Sequence, residues 1–269
     1  MKENRIVFLS VPESLRGADA HDSEETFNHN FSINPDIPIP VEIPEGLEKI
    51  NIEELSWEMI ISGMLRVIEA GEEKQEWLEY YRNFVLTMRP GIFEEFTEAA
   101  VIKARNGDYD TALGIFDMLR ALFPPPSQHF AVLTLNRAFV LEQRAAHFRR
   151  LGSPEADNAG LDTENAYRQL LKAQPPLPGA YYNAGYFFLS QKNFGQAMEC
   201  FSNYIKVAHD PFDSDKKKEV KSIIKEIRDK GLNDESFIEA YGLIRQEKAE
   251  ESLSYIHDFL ECYPKVWNG

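Results

Sequence analysis

Cysteine is nearly absent from this 269-residue chain, and basic side chains are outnumbered. Cys200 and Cys262 lie far apart, each inside a helical pattern. That excludes a disulfide framework and points to a reducing, cytoplasmic setting. Both thiols are expected as small core residues. The 29 Lys and Arg against 44 Asp and Glu leave a formal charge of −15. Affinity for nucleic acid rests on neutralising phosphates, and anionic membrane surfaces also select basic segments, so neither partner is expected. No run reaches the roughly 18 apolar residues of a membrane span. The apolar stretch Ile6 to Val11 is cut short by Pro12 and Glu13 and has no small-residue cleavage site, so it is not read as a signal peptide.

Catalytic patterns are missing too. The six histidines are scattered, with no His-x3-His pair. Only His21 and His29, in an acidic stretch, leave room for a weak metal site. The segment "DPFDSDKKKEV" (210–220) lacks the central glycine and closing glutamate of a calcium loop. No phosphate-cradling glycine loop or nucleophile elbow occurs. An enzyme, a cofactor or a metal is therefore not expected.

What is present divides into two parts. Residues 1–46 are acidic and proline-rich, and Pro35, Pro38, Pro40 and Pro44 block helix. The expectation is an irregular arm whose "INPDIPIPVEIP" stretch can lie as an extended strap, either in a groove or on the exposed face of the first helical unit. From 47 to 269 the apolar spacing is helical throughout, and nothing reads as a sheet. Gly71, Pro90-Gly91 and Pro124 end successive helices, "SPEADNAGLD" (153–162) reads as a loop, and 213–231 reads as one capped helix with the stripe Val220, Ile223, Ile224 and Ile227. On that helix the run Lys216, Lys217, Lys218, Lys221 and Lys225 reads as a solvated face.

A recurring spacing organises the helical part. Gly185, Ala197 and Phe201 repeat the intervals of Ala100, Ala112 and Phe116. Small residues at the first two positions let the helices of a hairpin approach closely, and the aromatic fills the space beside them. Gly185 is expected where close packing leaves no room for a side chain. Gly195 instead opens the second helix of its pair.

This pattern resembles divergent tetratricopeptide repeats, helix-turn-helix units of about 34 residues. Residues 93–126 match through Phe96, Ala99-Ala100, Tyr109, Ala112, Phe116, Leu119 and Pro124. Residues 178–211 match through Tyr181, Ala184-Gly185, Phe188, Phe194, Ala197, Phe201 and Tyr204, with His209 in place of the closing proline. Residues 127–180 read as a repeat interrupted by about twenty residues. Residues 233–266 match through Ala240, Leu243, Ile256, Phe259 and Pro264, with Ser252 where alanine is usual. Residues 55–90 read as a divergent first unit.

The resemblance implies an all-α fold, a right-handed α-solenoid of helix-turn-helix repeats carrying the N-terminal arm. It implies a non-enzymatic scaffold whose concave groove is lined by first helices. Position by position, this puts Val101, Arg105, Leu135, Phe139, Tyr182, Asn183, Tyr186 and Leu189 on the groove. Only Asn183 fits the set with which one branch of the family clamps chaperone carboxylates. An apolar or proline-containing protein segment is the expected partner instead, because aromatic rings stack on proline. A regulatory sensor of short peptides is the alternative. A polar capping helix usually ends such arrays, so further repeats or end-on self-association are expected past the last unit.

Overall fold

The computed structural model describes residues 5–10, 34–43, 55–209, 213–264 and 266. His21 and His29 lie outside them. Among the described residues two short strands, β1 (Arg5–Leu9) and β2 (Ile39–Ile43), precede eleven helices: α1 (Trp57–Ala70), α2 (Gln75–Met88), α3 (Ile92–Arg105), α4 (Tyr109–Leu122), α5 (Gln128–Leu151), α6 (Ala156–Leu170), α7 (Pro178–Ser190), α8 (Phe194–Val207), α9 (Ser214–Asp229), α10 (Glu235–Arg245) and α11 (Ala249–Cys262). The chain clusters into two compact units, residues 1–159 and 160–269.

The sheet corrects the expectation of an irregular arm over residues 1–46. β1 and β2 pair antiparallel, with Val7 opposite Val41, and β2 lies along α1. Ile37, Val41 and Ile43 are buried. Tyr81 Oη donates to the Pro38 carbonyl at 2.6 Å, and the Asn34 N–H donates to Tyr80 Oη at 3.2 Å. Ser62 donates to the Glu42 carboxylate, which also faces Arg66 at 3.7 Å. Proline is compatible with this strand because both strands of a two-stranded sheet have an open edge. Gly63, in the middle of α1, is where β2 crosses the helix. A Cβ there would lie 2.5 Å from the Pro40 oxygen and 2.8 Å from the Val41 Cα.

In the rest of the first unit α3 and α4 form a hairpin, and α5 packs against both. Asp117 on α4 takes a two-pronged ion pair from Arg137 on α5, at 2.7 and 3.1 Å, and Arg120 donates to Thr134 at 3.2 Å. The second unit pairs α7 with α8 and α10 with α11, and lays α9 on α8.

The three hairpins share one turn. The N–H groups of Asp108, Asn193 and Lys248 each donate to a carbonyl five residues back, at 3.0, 2.9 and 3.0 Å. The preceding residue is left-handed in every case: Gly107 (φ 82°), Lys192 (φ 61°) and Glu247 (φ 62°). This is a helix C-terminus closed by a 6→1 bond. Counting from that turn, Ala100, Gly185 and Ala240 are equivalent, and so are Ala112, Ala197 and Ser252. All six are buried. Ser252 keeps its hydroxyl satisfied by donating to the Ala249 carbonyl at 2.6 Å. At the next mark, Phe116 and Phe201 are fully buried, while Ile256 is half-buried. At Gly185 the Phe201 ring fills the space of a side chain, since a Cβ there would sit 2.5 Å from Phe201 Cδ1.

Two local expectations are corrected. Residues from Ala156 onward are helix, not loop. Ser153 Oγ accepts from the Glu155 N–H at 3.4 Å, with Pro154 just behind the cap. Of the two cysteines only Cys200 is buried, and its burial pushes the thiol up to about 12; Cys262 is exposed.

Candidate functional site

The eight groove positions fall into two sets, one in each compact unit. In the first unit, Val101 and Arg105 sit on α3, half-buried and exposed respectively, and Leu135 and Phe139 sit on α5. α5 buries Leu133, Leu141 and Ala145 on one side. Leu135 falls on the opposite side at helical spacing with Val132 and Phe139, which are 49% and 50% exposed. An apolar stripe two turns long therefore faces solvent.

The second set is engaged inside its own unit. Tyr182 and Tyr186 project from α7 and both donate to one carboxylate, Glu219 of α9; the Tyr182 bond measures 3.3 Å. Their rings meet edge to face at 5.0 Å. Tyr182 also packs on Tyr204 at 5.2 Å and Tyr186 on Phe201 at 5.1 Å. Burial, reinforced by the Glu219 hydrogen bond, holds the Tyr186 hydroxyl well above the usual tyrosine range. Asn183 and Leu189 are half-buried on the same helix.

Two members of the lysine run share in this arrangement instead of standing as a purely solvated face. Lys216 Nζ lies 5.3 Å over the Tyr182 ring. Lys217 donates to the carbonyl of Ala208, which caps the C-terminus of α8, where a cation is favoured. Lys218 pairs with the exposed Asp215. The tyrosine–glutamate contact was not legible in the sequence. Glu219 lies more than thirty residues from both tyrosines and sits among lysines, so no local pattern marks it.

Tyr204, beneath Tyr182, is almost fully buried, and among the described residues its hydroxyl has no hydrogen-bond partner of ordinary geometry. Burial, with the Asp213 carboxylate nearby, pushes its pKa up to about 12. An unfolded tyrosine ionises near pH 10. This contribution to stability is therefore intact below about pH 10 and is lost as the pH rises through about 12. Tyr204→Phe should leave stability at neutral pH unchanged or raise it by up to about 1 kcal/mol. It should also flatten the alkaline fall. Urea midpoints between about pH 7 and 11 measure both, and a steeper fall in the variant would contradict the assignment.

Among the described residues, no group of three His, Cys, Asp or Glu side chains converges as metal ligands would. No described helix is long and apolar enough to cross a membrane. No protein-family model matches the chain, and no curated protein is significantly similar to it in sequence.

Proposed function

We propose that this chain is a protein-interaction scaffold built as a tetratricopeptide-like right-handed superhelix of hairpins, acting in the cytoplasm. In this reading an extended apolar or proline-containing segment of a partner binds along the outward stripe of α5, beside α3. The observation that carries it is the exposure of Val132 and Phe139 on one stripe of a helix whose other side is fully packed. Scattered apolar residues are ordinary on protein surfaces, but a contiguous stripe marks an interaction site. Arg105 stands exposed on α3, where it can donate to a carbonyl or carboxylate of the bound segment.

Tyr182 and Tyr186 support the superhelix from within, because their hydroxyls are already committed to Glu219. The contact residues of this reading are therefore Val101, Arg105, Leu135 and Phe139, with Phe139 as the anchor.

The test is capture of partners from native extract by the parent chain and by a Val132→Ser/Phe139→Ser variant. Both positions are half exposed, so the variant should keep its helical circular dichroism and lose little stability. A protein that the parent retains and the folded variant loses is the expected result. Equal retention by both would overturn the assignment to α5.

A further inference from the structure

We infer that the cleft between α8 and α9 is a binding site for a short acidic segment of a partner protein. The proposal rests on the residues that line this cleft and is independent of the α5 stripe.

α9 packs on α8 and buries Val220, Ile224 and Ile227. Between the two helices lies an open cavity of about 530 Å³ with Ile205 and Ile224 in its lining. Around them stand Lys206 of α8 and Lys221, Lys225 and Arg228 of α9, all four exposed. Asp229 is the one carboxylate of the lining. Four cations to one anion reverse the balance of a chain in which 44 acidic side chains face 29 basic ones. Among the described residues none of the four cations makes an ion pair, and Lys206 donates to Asn203 Oδ1 at a long 3.4 Å. The other carboxylates of α9 are engaged elsewhere: Asp215 with Lys218, Glu219 with the two tyrosines and Glu226 with Lys230. Lys221 and Lys225 stand one helical turn apart, a spacing at which like charges repel. An anion in the cleft relieves that repulsion.

The lining specifies the occupant. Lys221, Lys225 and Arg228 follow one another along the helix over roughly 10 Å, farther than a single carboxylate or phosphate group reaches. Charges distributed along a chain match this ladder. In an extended peptide alternate side chains share one face about 7 Å apart, close to the pitch of the helix that carries the cations, so successive carboxylates each meet one of them. The isoleucines give an apolar side chain of the same segment a place to rest, and the half-buried Ser202 hydroxyl can donate to a carboxylate. Arg228 can bind a carboxylate through two parallel N–H groups. A long polyanion such as nucleic acid fits less well, because past the cleft it meets a chain of net charge −15. Charge complementarity of this kind selects a short acidic peptide.

The probe is a short acetylated peptide of glutamates around a central leucine, titrated into the full chain by calorimetry at low salt. Saturable binding is expected, weakening as salt is added, with slower amide exchange at 202–206 and 221–228. The same peptide with glutamine for glutamate should not bind. Lys225→Glu reverses a charge in the lining at an exposed position, so the fold should survive, and it should weaken binding by about tenfold or more. Lys218→Glu makes the same change of net charge on the same helix but outside the lining, and should weaken binding by less than about threefold. Three results would overturn the proposal. One is no saturable binding by the parent. Another is equal weakening by Lys225→Glu and Lys218→Glu, which would make the attraction one of overall charge. The third is tighter binding of inorganic tripolyphosphate than of the peptide, lost in Lys225→Glu, which would make a compact polyanion the occupant.

Discussion

Gly63→Ala is expected to destabilise the chain by about 1–3 kcal/mol, the usual cost of forcing an extra methyl into a packed interior. The sign makes the result informative. In a solvent-exposed helix the same change stabilises by about 1 kcal/mol, because alanine is the better helix former. Gly63 lies inside α1, but the space its side chain would need is filled by the Pro40 carbonyl and the Val41 Cα of β2. Those are backbone atoms and cannot rotate away as a side-chain tip can. To accept the methyl, β2 must lift off α1, which releases the buried Ile37, Val41 and Ile43 and the Tyr81 bond to Pro38. Urea denaturation gives the sign, and amide exchange over residues 34–43 shows whether the strap detaches. A stabilised variant with unchanged exchange would mean that β2 does not rest on α1.

The second large effect concerns the close approach inside α7–α8. Phe201→Ala should cost about 3–5 kcal/mol, since the ring is fully buried against Gly185 and the edge of Tyr186. Gly185→Ala alone should cost about 1–3 kcal/mol, because its methyl meets that ring. In the Phe201→Ala background the same glycine change should become neutral or stabilising by up to about 1 kcal/mol, as the clash is gone and helix propensity remains. The double-mutant cycle should therefore show strong coupling. Additive effects would mean that Gly185 is not retained for the approach of Phe201. Ile256→Ala, at the equivalent but half-buried position of the third hairpin, should cost less than Phe201→Ala.

These two sites also show what the sequence could reveal. The interval from Gly185 to Ala197 to Phe201 was legible because close helix approach imposes its residue sizes at fixed distances along the chain, and the same constraint recurs at Ala100, Ala112 and Phe116. The β1–β2 pairing was not. It joins segments thirty residues apart, and the prolines at 38 and 40 read locally as polyproline rather than as a strand with an open edge. The start of α6 carried a usable signal, Ser153-Pro154-Glu155, but Gly160 and the Asp and Asn around it have the composition of a loop. The resemblance to the repeat family placed the eight candidate contact residues on α3, α5 and α7. It could not show that α9 returns to engage Tyr182 and Tyr186 through Glu219 while Phe139 stays in solvent. Whether a helix face is free or covered depends on the rest of the chain, and periodicity does not carry that information.

The account's central claim is that a partner segment binds along the α5 stripe, and site-directed photo-crosslinking from position 139 tests it most directly. A benzophenone side chain replacing the half-exposed Phe139 is irradiated in native extract, with a control carrying it at the somewhat more exposed Leu161. The account predicts an adduct specific to position 139, whose partner peptide is apolar or contains proline. Adducts identical from both positions, or none from 139, would contradict it.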